Sequence, residues 1–554
     1  MMNVSIFLRE ENKVHLKGQK MDSSASAKID VCGLGCDLRT RCAVQFTVLF
    51  SLLAHVYRWT MAGFSHDALF IYQNDSTWQI ALGRFLIRGY LLVRGKMTPP
   101  IIIAAFAVAF LSLSIVFIIR ILDIRSKVGI IALCGVMATH ASLADSYVFY
   151  LPWVDVYMLS LLLSVLAVYT FIQFPRRWIL SSVLVALSMG LYPTYVQSAV
   201  VLCLLWLIKT CVRKEETPFI FKKACLAIAF LMLGGILYYA LWRLSLHVFN
   251  IQQALVYNSV SEIRHLFNQT PLQIMHLIHD AYMVVIREIF LPFTFHSPLV
   301  GCCDTVLCLL AAVSFFRLTE DWKKRLGVFV LILLVPFGSS FVYVLSNGYF
   351  SITMRYSIVL YQALVIMMLD LWIFDELLPI QPKLGKAFRI VVPLLYFLIV
   401  LNNSIYSNQV YLKASLEEQA TLSVMTRLLT RMEETEGYIP GETVVVLEGD
   451  VNNSRISQIR PGYPTENITY AMTSSFAPQY HGAYRNYFRN VLGYPIQLGS
   501  LQLTDLYKTD PRVISMAAFP DADCCKMIDG MLIVKLSEDM YIYHDYILDA
   551  PKAN

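Results

Sequence analysis

Residues 99–120 read PPIIIAAFAVAFLSLSIVFIIR, an apolar run without a charge before Arg120. A helix that crosses the roughly 30 Å of bilayer hydrocarbon needs about 20 such residues, so this stretch predicts a transmembrane span. The same window applied to the whole chain gives about eleven spans. They cover residues 42–63, 99–120, 128–145, 149–173, 178–192, 194–212, 224–245, 298–316, 327–346, 356–376 and 388–407. The sequence therefore predicts an all-α polytopic membrane protein.

The composition of the 554 residues agrees with that prediction. The chain is 57% apolar and 15% charged, whereas a soluble globular chain is about 45–50% apolar and about 25% charged. These values argue against a cytosolic enzyme, a disordered chain and a nucleic-acid-binding chain. Most of the 12 cysteines lie in apolar runs, where a cysteine behaves as a small hydrophobic residue.

The distribution of Lys and Arg predicts the orientation of the chain. Basic residues precede the first span and recur in every second loop, whereas the short loops around Asp145 and Tyr192 contain none. Short loops rich in Lys and Arg stay in the cytoplasm. We therefore expect a cytoplasmic N-terminus, and an odd number of spans places the C-terminus outside.

The apolar stretch from residue 178 to residue 212 is interrupted at Gly190-Leu191-Tyr192-Pro193. We interpret this interruption as a tight turn between two spans. A single helix kinked at the proline is the alternative.

Two of the predicted outward segments are longer than a turn and contain helical patterns. The first, Phe64–Thr98, includes the amphipathic stretch Gly83–Tyr90. The second, His247–Ser297, contains apolar residues at helical spacing in Leu272–Met283. We expect interfacial or re-entrant helices in both segments.

The tail after Asn408 differs in composition from the rest of the chain, because it is richer in Gly, Pro, Asp and Asn. It contains a polar helical stretch, Leu416–Glu436, and strand-like runs at Thr443–Leu447 and Met531–Leu536. This pattern predicts a small C-terminal α/β domain outside the membrane. The predicted division is a cytoplasmic segment 1–41, a transmembrane domain 42–407 and an extracytoplasmic domain 408–554.

The first outward segment carries candidate catalytic groups. His66 and Asp67 follow the first span directly, Asp75 follows eight residues after Asp67, and then come Gly83 and Arg84. A carboxylate at the membrane boundary can remove a proton from a sugar hydroxyl, and an Arg can bind a phosphate through two hydrogen bonds. The alternative for Asp67 is that it caps an interfacial helix.

Asp145 lies in the second outward turn, and Asp155 follows within an aromatic-rich span. Sugars stack on aromatic rings and form hydrogen bonds with carboxylates, so these acids and the nearby aromatic residues are candidates for sugar binding. Tyr192 and Tyr195 are candidates for sugar binding for the same reason, since each has an aromatic ring and a hydroxyl group. Aromatic residues are also common at membrane interfaces without any binding role.

Arg355 lies at the outward end of the tenth span and is the only basic residue in its loop. An outward Arg runs against the orientation bias, which favours a bound anion or an internal acidic partner. A lipid phosphate is the anion expected at that depth. A side chain that merely extends to the interface is the alternative.

Metal and nucleotide signals are weak. His276, His279 and Asp280 lack a recognised zinc spacing, and the chain has no Walker-type phosphate loop. We therefore expect neither a metal site nor an ATP-driven transporter.

Taken together, Asp67 after span one, Gly83-Arg84, the break from Gly190 to Tyr195 and Arg355 resemble the bacterial and phage serotype-converting glucosyltransferases, glucosyl transferase family II. The resemblance covers most of residues 40–430. It implies a polytopic glycosyltransferase of GT-C type that needs no cofactor. Such enzymes take a sugar, typically glucose, from undecaprenyl phosphate and add it to O-antigen or a similar surface glycan.

The resemblance also implies roles for particular residues. Asp67 would be the general base or acceptor anchor, and Arg84 and Arg355 would bind the donor phosphate. Family members often have two adjacent acids where this chain has His66-Asp67, so Asp75 or Asp145 is a candidate for the second carboxylate.

The implied setting is the outer face of the bacterial inner membrane, with a donor synthase and a flippase of the same gene cluster as partners. Two other functions remain open at this point. One is a flippase or transporter of lipid-linked sugars, although such proteins tend to show inverted repeats and none is visible here. The other is an O-antigen polymerase-like or ligase-like enzyme.

Overall fold

The computed structural model describes residues 37–61, 68–72, 76–212, 217–253, 268–291, 298–319, 322–374, 382–455 and 481–541. Within these ranges the chain is mostly helical. The first helices are α1 (Leu38–Thr60), α2 (Thr77–Ala81), α3 (Ile87–Arg94), α4 (Pro100–Leu122), α5 (Lys127–Thr139), α6 (Ala141–Phe149), α7 (Val154–Gln173) and α8 (Trp178–Leu191). They are followed by α9 (Val196–Val212), α10 (Thr217–Val248), α11 (Pro271–Phe290), α12 (Pro298–Leu318), α13 (Trp322–Leu345), α14 (Leu360–Leu369) and α15 (Pro382–Glu433).

Nine segments in the described part of the chain are long and apolar enough to cross a membrane. They are Pro100–Leu122, Lys127–Phe149, Leu151–Gln173, Pro193–Val212, Ile220–Val248, Pro298–Leu318, Trp322–Leu345, Tyr356–Ile373 and Gly385–Glu433. The other two predicted spans, 42–63 and 178–192, coincide with α1 and with α8, which has only 14 residues. The chain is therefore a membrane protein, and the number of eleven spans stays a prediction.

The interruption at Gly190–Pro193 is a turn between two antiparallel helices. Helix α8 ends at Leu191, and α9 begins at Val196 after the 3-10 turn Pro193–Tyr195. The Tyr192 ring lies 4.7 Å from that of Tyr157 at the start of α7. At the far end of α7, the Phe171 ring lies 5.8 Å from that of Trp206 in α9. Helix α9 therefore returns along α7, as the tight-turn interpretation predicted.

Small hydroxyl residues hold α7 and α8 close together. The Ser188 hydroxyl oxygen lies 3.0 Å from that of Ser160 and 2.9 Å from that of Ser164. All three side chains are fully buried. Such contacts replace the hydrophobic driving force that is weak between helices in lipid.

Helix α15 is longer than the sequence predicted. The sequence predicts a last span that ends at residue 407 and a separate helix at 416–436, whereas the structure has one helix of 52 residues, Pro382–Glu433. Beyond Pro393 this helix contains neither glycine nor proline, the two residues that most strongly interrupt helices. It therefore runs from an apolar span into the polar tail without a loop.

The tail contains a small mixed sheet, described here as the sheet region (residues 434–455 and 481–541). Its strands are β1 (Val444–Glu448), β2 (Gln497–Leu498), β3 (Cys525–Ile528) and β4 (Met531–Lys535). The strand order is β2-β1-β4-β3, with β1 parallel to both neighbours and β3 antiparallel to β4. Helices α16 (His481–Asn486), α17 (Leu501–Tyr507) and α18 (Pro511–Ile514) lie between the strands, and α16 continues into a π-helical turn, Tyr487–Val491.

The outer end of α15 packs into the core of the sheet region. Met425, Leu428 and Met432 of the helix belong to one buried cluster with Leu447 and Val534 of the sheet. The strand-like runs Thr443–Leu447 and Met531–Leu536 coincide with β1 and β4. The division into three domains and the position of the tail outside the membrane stay predictions.

Candidate functional site

Asp67, the predicted base, lies outside the described residues, and so do His66 and Asp75. Asp67 directly precedes the 3-10 turn Ala68–Phe70, and Asp75 directly precedes Ser76, the N-cap of α2. The structure therefore describes the chain on both sides of these acids.

Arg84 and Tyr192 lie together, although 108 positions separate them in the sequence. The Arg84 guanidinium carbon is 4.6 Å from the centre of the Tyr192 ring, a cation–π contact. The backbone N–H of Leu86 donates to the carbonyl oxygen of Gly190 at 3.0 Å. Gly190 permits this approach, because a Cβ atom there would lie 2.7 Å from the Phe85 ring.

Gly83 sets the direction of Arg84. Its φ of +86° is a conformation that side-chain-bearing residues rarely adopt, and a Cβ atom at this position would collide with the hydroxyl group of Tyr238 in α10. The Gly83-Arg84 pair therefore combines a tight turn with a cation.

The predicted tyrosines form a packed cluster. The Tyr195 ring lies 6.3 Å from that of Tyr157 and 5.9 Å from that of Tyr192. Tyr192 and Tyr195 are both 3% exposed. The Tyr192 hydroxyl lies 2.6 Å from that of Thr353, two residues before Arg355. Tyr192 thus connects the Arg84 segment to the Arg355 segment.

Arg355 has an acidic partner that the sequence analysis did not identify. Its Nη1 atom donates to Glu288 Oε1 of α11 at 2.8 Å, and its Nε and Nη2 atoms donate to the carbonyl oxygen of Phe350 at 3.2 and 3.1 Å. The side chain of Glu288 is 6% exposed and that of Arg355 is 22% exposed. Burial raises the pKa of Glu288 to about 7, against the opposing effect of the Arg355 charge.

Asp145 completes this group, but in a different element from the one predicted. We expected it in a turn, whereas it lies in the middle of α6, because the chain breaks earlier, at His140, which ends α5 and caps α6. Asp145 is fully buried, the Tyr406 hydroxyl lies 3.4 Å from its Oδ1 atom, and its Oδ2 atom has no hydrogen-bond partner among the described residues. The charges of Arg355 and Glu288 both act on it.

The structure thus connects four of the predicted residues, Arg84, Tyr192, Tyr195 and Arg355, through ring contacts and Thr353. A fifth, Asp145, lies within range of the charges of Arg355 and Glu288. A family model with the description glucosyl transferase GtrII matches residues 61–370, more than half of the chain. The chain belongs to the glucosyl transferase GtrII family. No curated protein and no solved structure matches it.

Membership confirms the resemblance drawn from the sequence. GtrII proteins are glucosyl transferases that act in O-antigen modification, so this chain is a membrane glycosyltransferase. The matched range contains all seven predicted site residues and Glu288. It leaves out α1, α15 and the sheet region.

The GtrII chain buries a second Arg–acid pair at the start of α7. Arg94 Nε lies 3.7 Å from Asp155 Oδ2, and both side chains are fully buried. The Tyr90 hydroxyl donates to the same Asp155 oxygen at 2.9 Å, and Arg94 Nη1 donates to the carbonyl oxygen of Pro152 at 3.3 Å. The predicted sugar ligand Asp155 is therefore already occupied by Tyr90 and Arg94.

Arg58, at the end of α1 of this GtrII protein, is also fully buried. Its Nε atom donates to the carbonyl oxygen of Tyr147 at 3.0 Å and its Nη1 atom to that of Met61 at 3.3 Å. These contacts fix the chain just before the segment that contains Asp67.

Of the residues that were not predicted, Glu288 could have been found from its position in the sequence. Glu288 follows Ala281 and Val285 at the i, i+4, i+7 spacing of a core-facing stripe, and an acid on such a stripe requires a partner. Arg58 and Arg94 had no comparable signal.

No group of three or more His, Cys, Asp or Glu side chains that could hold a metal occurs in the described ranges. His279 is paired with the neighbouring Asp280 at 3.1 Å, and both side chains are exposed.

Proposed function

We propose that this GtrII protein transfers a glucosyl group from a polyprenyl phosphate donor to O-antigen or another surface glycan, at the outer face of the bacterial inner membrane. The observation that carries the proposal is the Arg355–Glu288 pair. It holds a partly exposed guanidinium within the range that the family model matches, close enough to the buried Asp145 for the two charges to interact. A polyprenyl phosphate supplies the anion that such a cation binds at the boundary of the membrane.

Arg355 and Arg84 are assigned to the donor phosphate. Charge-assisted hydrogen bonds from Arg are strong, and the planar guanidinium matches two phosphate oxygens. Tyr192 contacts Arg84 with its ring and Thr353 with its hydroxyl, so it keeps the two cation-bearing segments in register. Two cations then stabilise the negative charge that builds up on the leaving phosphate.

The reaction is a single displacement with inversion at the anomeric carbon. Asp67 takes the proton from an acceptor hydroxyl, and the hydroxyl oxygen forms the new bond to the anomeric carbon. The bond from that carbon to the phosphate oxygen breaks, and its electron pair leaves with the polyprenyl phosphate. No electron acceptor and no metal ion is needed to balance this step.

Asp145 is assigned to sugar binding as the second carboxylate of the site. Asp75 is the alternative candidate for that role. The Oδ2 atom of Asp145 has no hydrogen-bond partner within the described residues, and a sugar hydroxyl would satisfy it. Tyr192 and Tyr195 pack against one another and form a wall of the site.

The proposed orientation follows from the Lys and Arg pattern, with the N-terminus in the cytoplasm and residues 408–554 outside. No nucleotide sugar exists on that side, so the donor arrives on its lipid. A donor synthase and a flippase of the same gene cluster are the expected partners.

The decisive experiment replaces Asp67 with Asn in cells that decorate their surface glycan, and measures the glycan by mass spectrometry. The intact protein is expected to add one hexose to each repeat. Loss of a general base lowers the rate by about 10² to 10⁴-fold, so decoration by Asp67→Asn is expected to disappear.

Asp521→Asn is the matched control, because this exposed aspartate lies in the sheet region and has no place in the reaction. Unchanged decoration by Asp67→Asn at equal protein level would remove Asp67 from the mechanism. If sealed proteoliposomes containing the intact protein moved the lipid-linked sugar without forming a glycosidic bond, the transferase proposal itself would fail.

A further inference from the structure

The segment that follows Asp67 is built into the core of the sheet region. Ala68 and Leu69 are fully buried. Leu69 belongs to the same apolar cluster as Met425 of α15 and Tyr487 and Phe488 of the π-helical turn. A side chain from the first loop therefore completes a core whose other members lie more than 350 positions later in the sequence.

A hydrogen bond fixes the backbone at the same point. The Asn490 side-chain amide, Nδ2, donates to the carbonyl oxygen of Leu69 at 2.7 Å. This is a normal length for an N–H to O hydrogen bond. Asn490 lies in the π-helical turn Tyr487–Val491, which also supplies Tyr487 and Phe488 to the core.

The other side of the segment is tied to the chain that leads into α4. The backbone N–H of Thr98 donates to the carbonyl oxygen of Ile71 at 2.9 Å, and Tyr72 forms an isolated β-bridge with Met97. Ile71 has a φ of +41°, a conformation that a β-branched residue adopts only when its surroundings impose it. Residues 68–72 are therefore held from two sides.

The sheet region can act as a rigid support, because α15 connects it to the membrane helices without a break. The same helix contributes Tyr406 to Asp145 and Met425 to the cluster around Leu69. Helix α15 thus connects Asp145, a candidate sugar ligand, to the contacts that hold Leu69.

From these contacts we infer that the sheet region is a positioning element of the transfer site. It holds residues 68–72, which directly follow Asp67, by enclosing Leu69 and by the hydrogen bond from Asn490. Asn490 is then a positioning residue that acts through Asp67. The inference rests on the proposed role of Asp67 as the base.

The experiment compares Asn490→Asp with Asn486→Asp in purified full-length protein, using a polyprenyl-phosphate glucose donor in vesicles. Both variants make the same change within two turns of each other, but the Asn486 side chain has no hydrogen bond to the loop among the described contacts. Asn490→Asp replaces the amide donor with an oxygen that repels the Leu69 carbonyl. We expect about a tenfold lower kcat, an unchanged KM for the donor, and recovery of part of the rate in Asn490→Gln, which keeps an amide donor.

Combining Asn490→Asp with Asp67→Asn tests whether the effect passes through the base. We expect the residual rate of Asp67→Asn to stay unchanged when Asn490→Asp is added, because there is no longer a base to position. An equal loss in both backgrounds, a change in KM alone, or no effect of Asn490→Asp would overturn the positioning role.

The two proposals fail in different ways. A fully active Asp67→Asn protein would refute the assignment of the base, and this inference with it. An inactive Asp67→Asn protein together with a fully active Asn490→Asp protein would refute only the role of the sheet region. Leu69→Ala is a second variant, and a lower kcat with unchanged donor KM in the folded protein is the expected result.

Discussion

The Arg94–Asp155 and Arg355–Glu288 pairs, both within the described residues, differ in their access to solvent. In the Arg94–Asp155 pair both side chains are fully buried, the closest N–O distance is 3.7 Å, and Tyr90 occupies the same carboxylate oxygen. In the Arg355–Glu288 pair the distance is 2.8 Å, and the Arg side chain is 22% exposed. We call the first the closed pair and the second the open pair, because the arginine of the second is partly exposed to solvent.

The difference separates a structural pair from a candidate binding group. A charge removed from water is stable only when it is paired, and a fully enclosed pair has no surface left for a substrate. An exposed guanidinium that keeps its acidic partner can still bind an additional anion. The difference supports the proposed donor-binding role of Arg355 and indicates a structural role for Arg94.

The largest effect is expected from breaking the closed pair. Asp155→Asn leaves the Arg94 charge buried without a carboxylate, which typically costs about 3–5 kcal/mol. We expect a correspondingly large drop in the unfolding temperature of the protein in detergent, and low yield. The double variant Asp155→Leu with Arg94→Met removes both charges and should recover most of the stability. A single variant as stable as the parent would contradict the structural role.

The open pair is expected to respond to pH. The pKa of Glu288, which lies outside the nine apolar spans, is raised by burial from 4.5 to about 7. The folded protein therefore binds more protons than the unfolded chain between these values. The stability contributed by this group is complete below pH 4.5 and is lost as the pH rises through about 7, by up to about 3 kcal/mol.

Glu288→Gln removes this dependence. Its unfolding temperature relative to the parent should rise between pH 5 and pH 8, when thermal unfolding is followed by intrinsic fluorescence in detergent. Glu442→Gln, at an exposed position in the sheet region, is the control and should show no such trend. A constant difference between Glu288→Gln and the parent across this range would argue against a buried, protonated carboxyl group.

A smaller effect, on activity instead of stability, is expected from Arg355→Lys. Lysine keeps the charge but cannot bind Glu288, the Phe350 carbonyl and a phosphate with one planar group. We expect a loss of about 2 kcal/mol in transition-state binding, which is about 30-fold in kcat/KM. Arg287→Lys, the exposed neighbour on α11, should retain full activity. An equal loss in both variants would mean that Arg355 has no special role.

The sequence predicted those features of the fold that depend on local hydropathy and turn chemistry. The apolar runs became helices, the Gly190–Pro193 interruption became a turn, and two strand-like runs became β1 and β4. The separation of the last span from a second helix at 416–436 was wrong, because hydropathy marks where apolar residues stop and not where a helix stops. Without glycine or proline after Pro393, α15 continues through its polar residues.

The candidate site was predicted in its residue types but not in its pairings. Arg355 was recognised as an outward cation in need of an anion or an acidic partner, yet Glu288 lies 67 positions earlier on another helix. The roles of Asp155 and Asp145 could not be separated by sequence, since both are acids near aromatic residues. Only the packing places Tyr90 and Arg94 on Asp155 and leaves one oxygen of Asp145 without a bonded neighbour among the described residues.

The unbroken course of α15 also constrains how this protein can change in length. Each residue added to an α-helix turns everything beyond it by about 100° and shifts it by about 1.5 Å. A single insertion between Tyr406 and Met425 would thus swing the strands to another side of the bundle, away from the loop that Leu69 anchors. Insertions of about seven residues would restore the angle but raise the strands by about 10 Å. The number of helical residues between Tyr406 and Met425 is for this reason as strongly constrained as the identity of any single side chain.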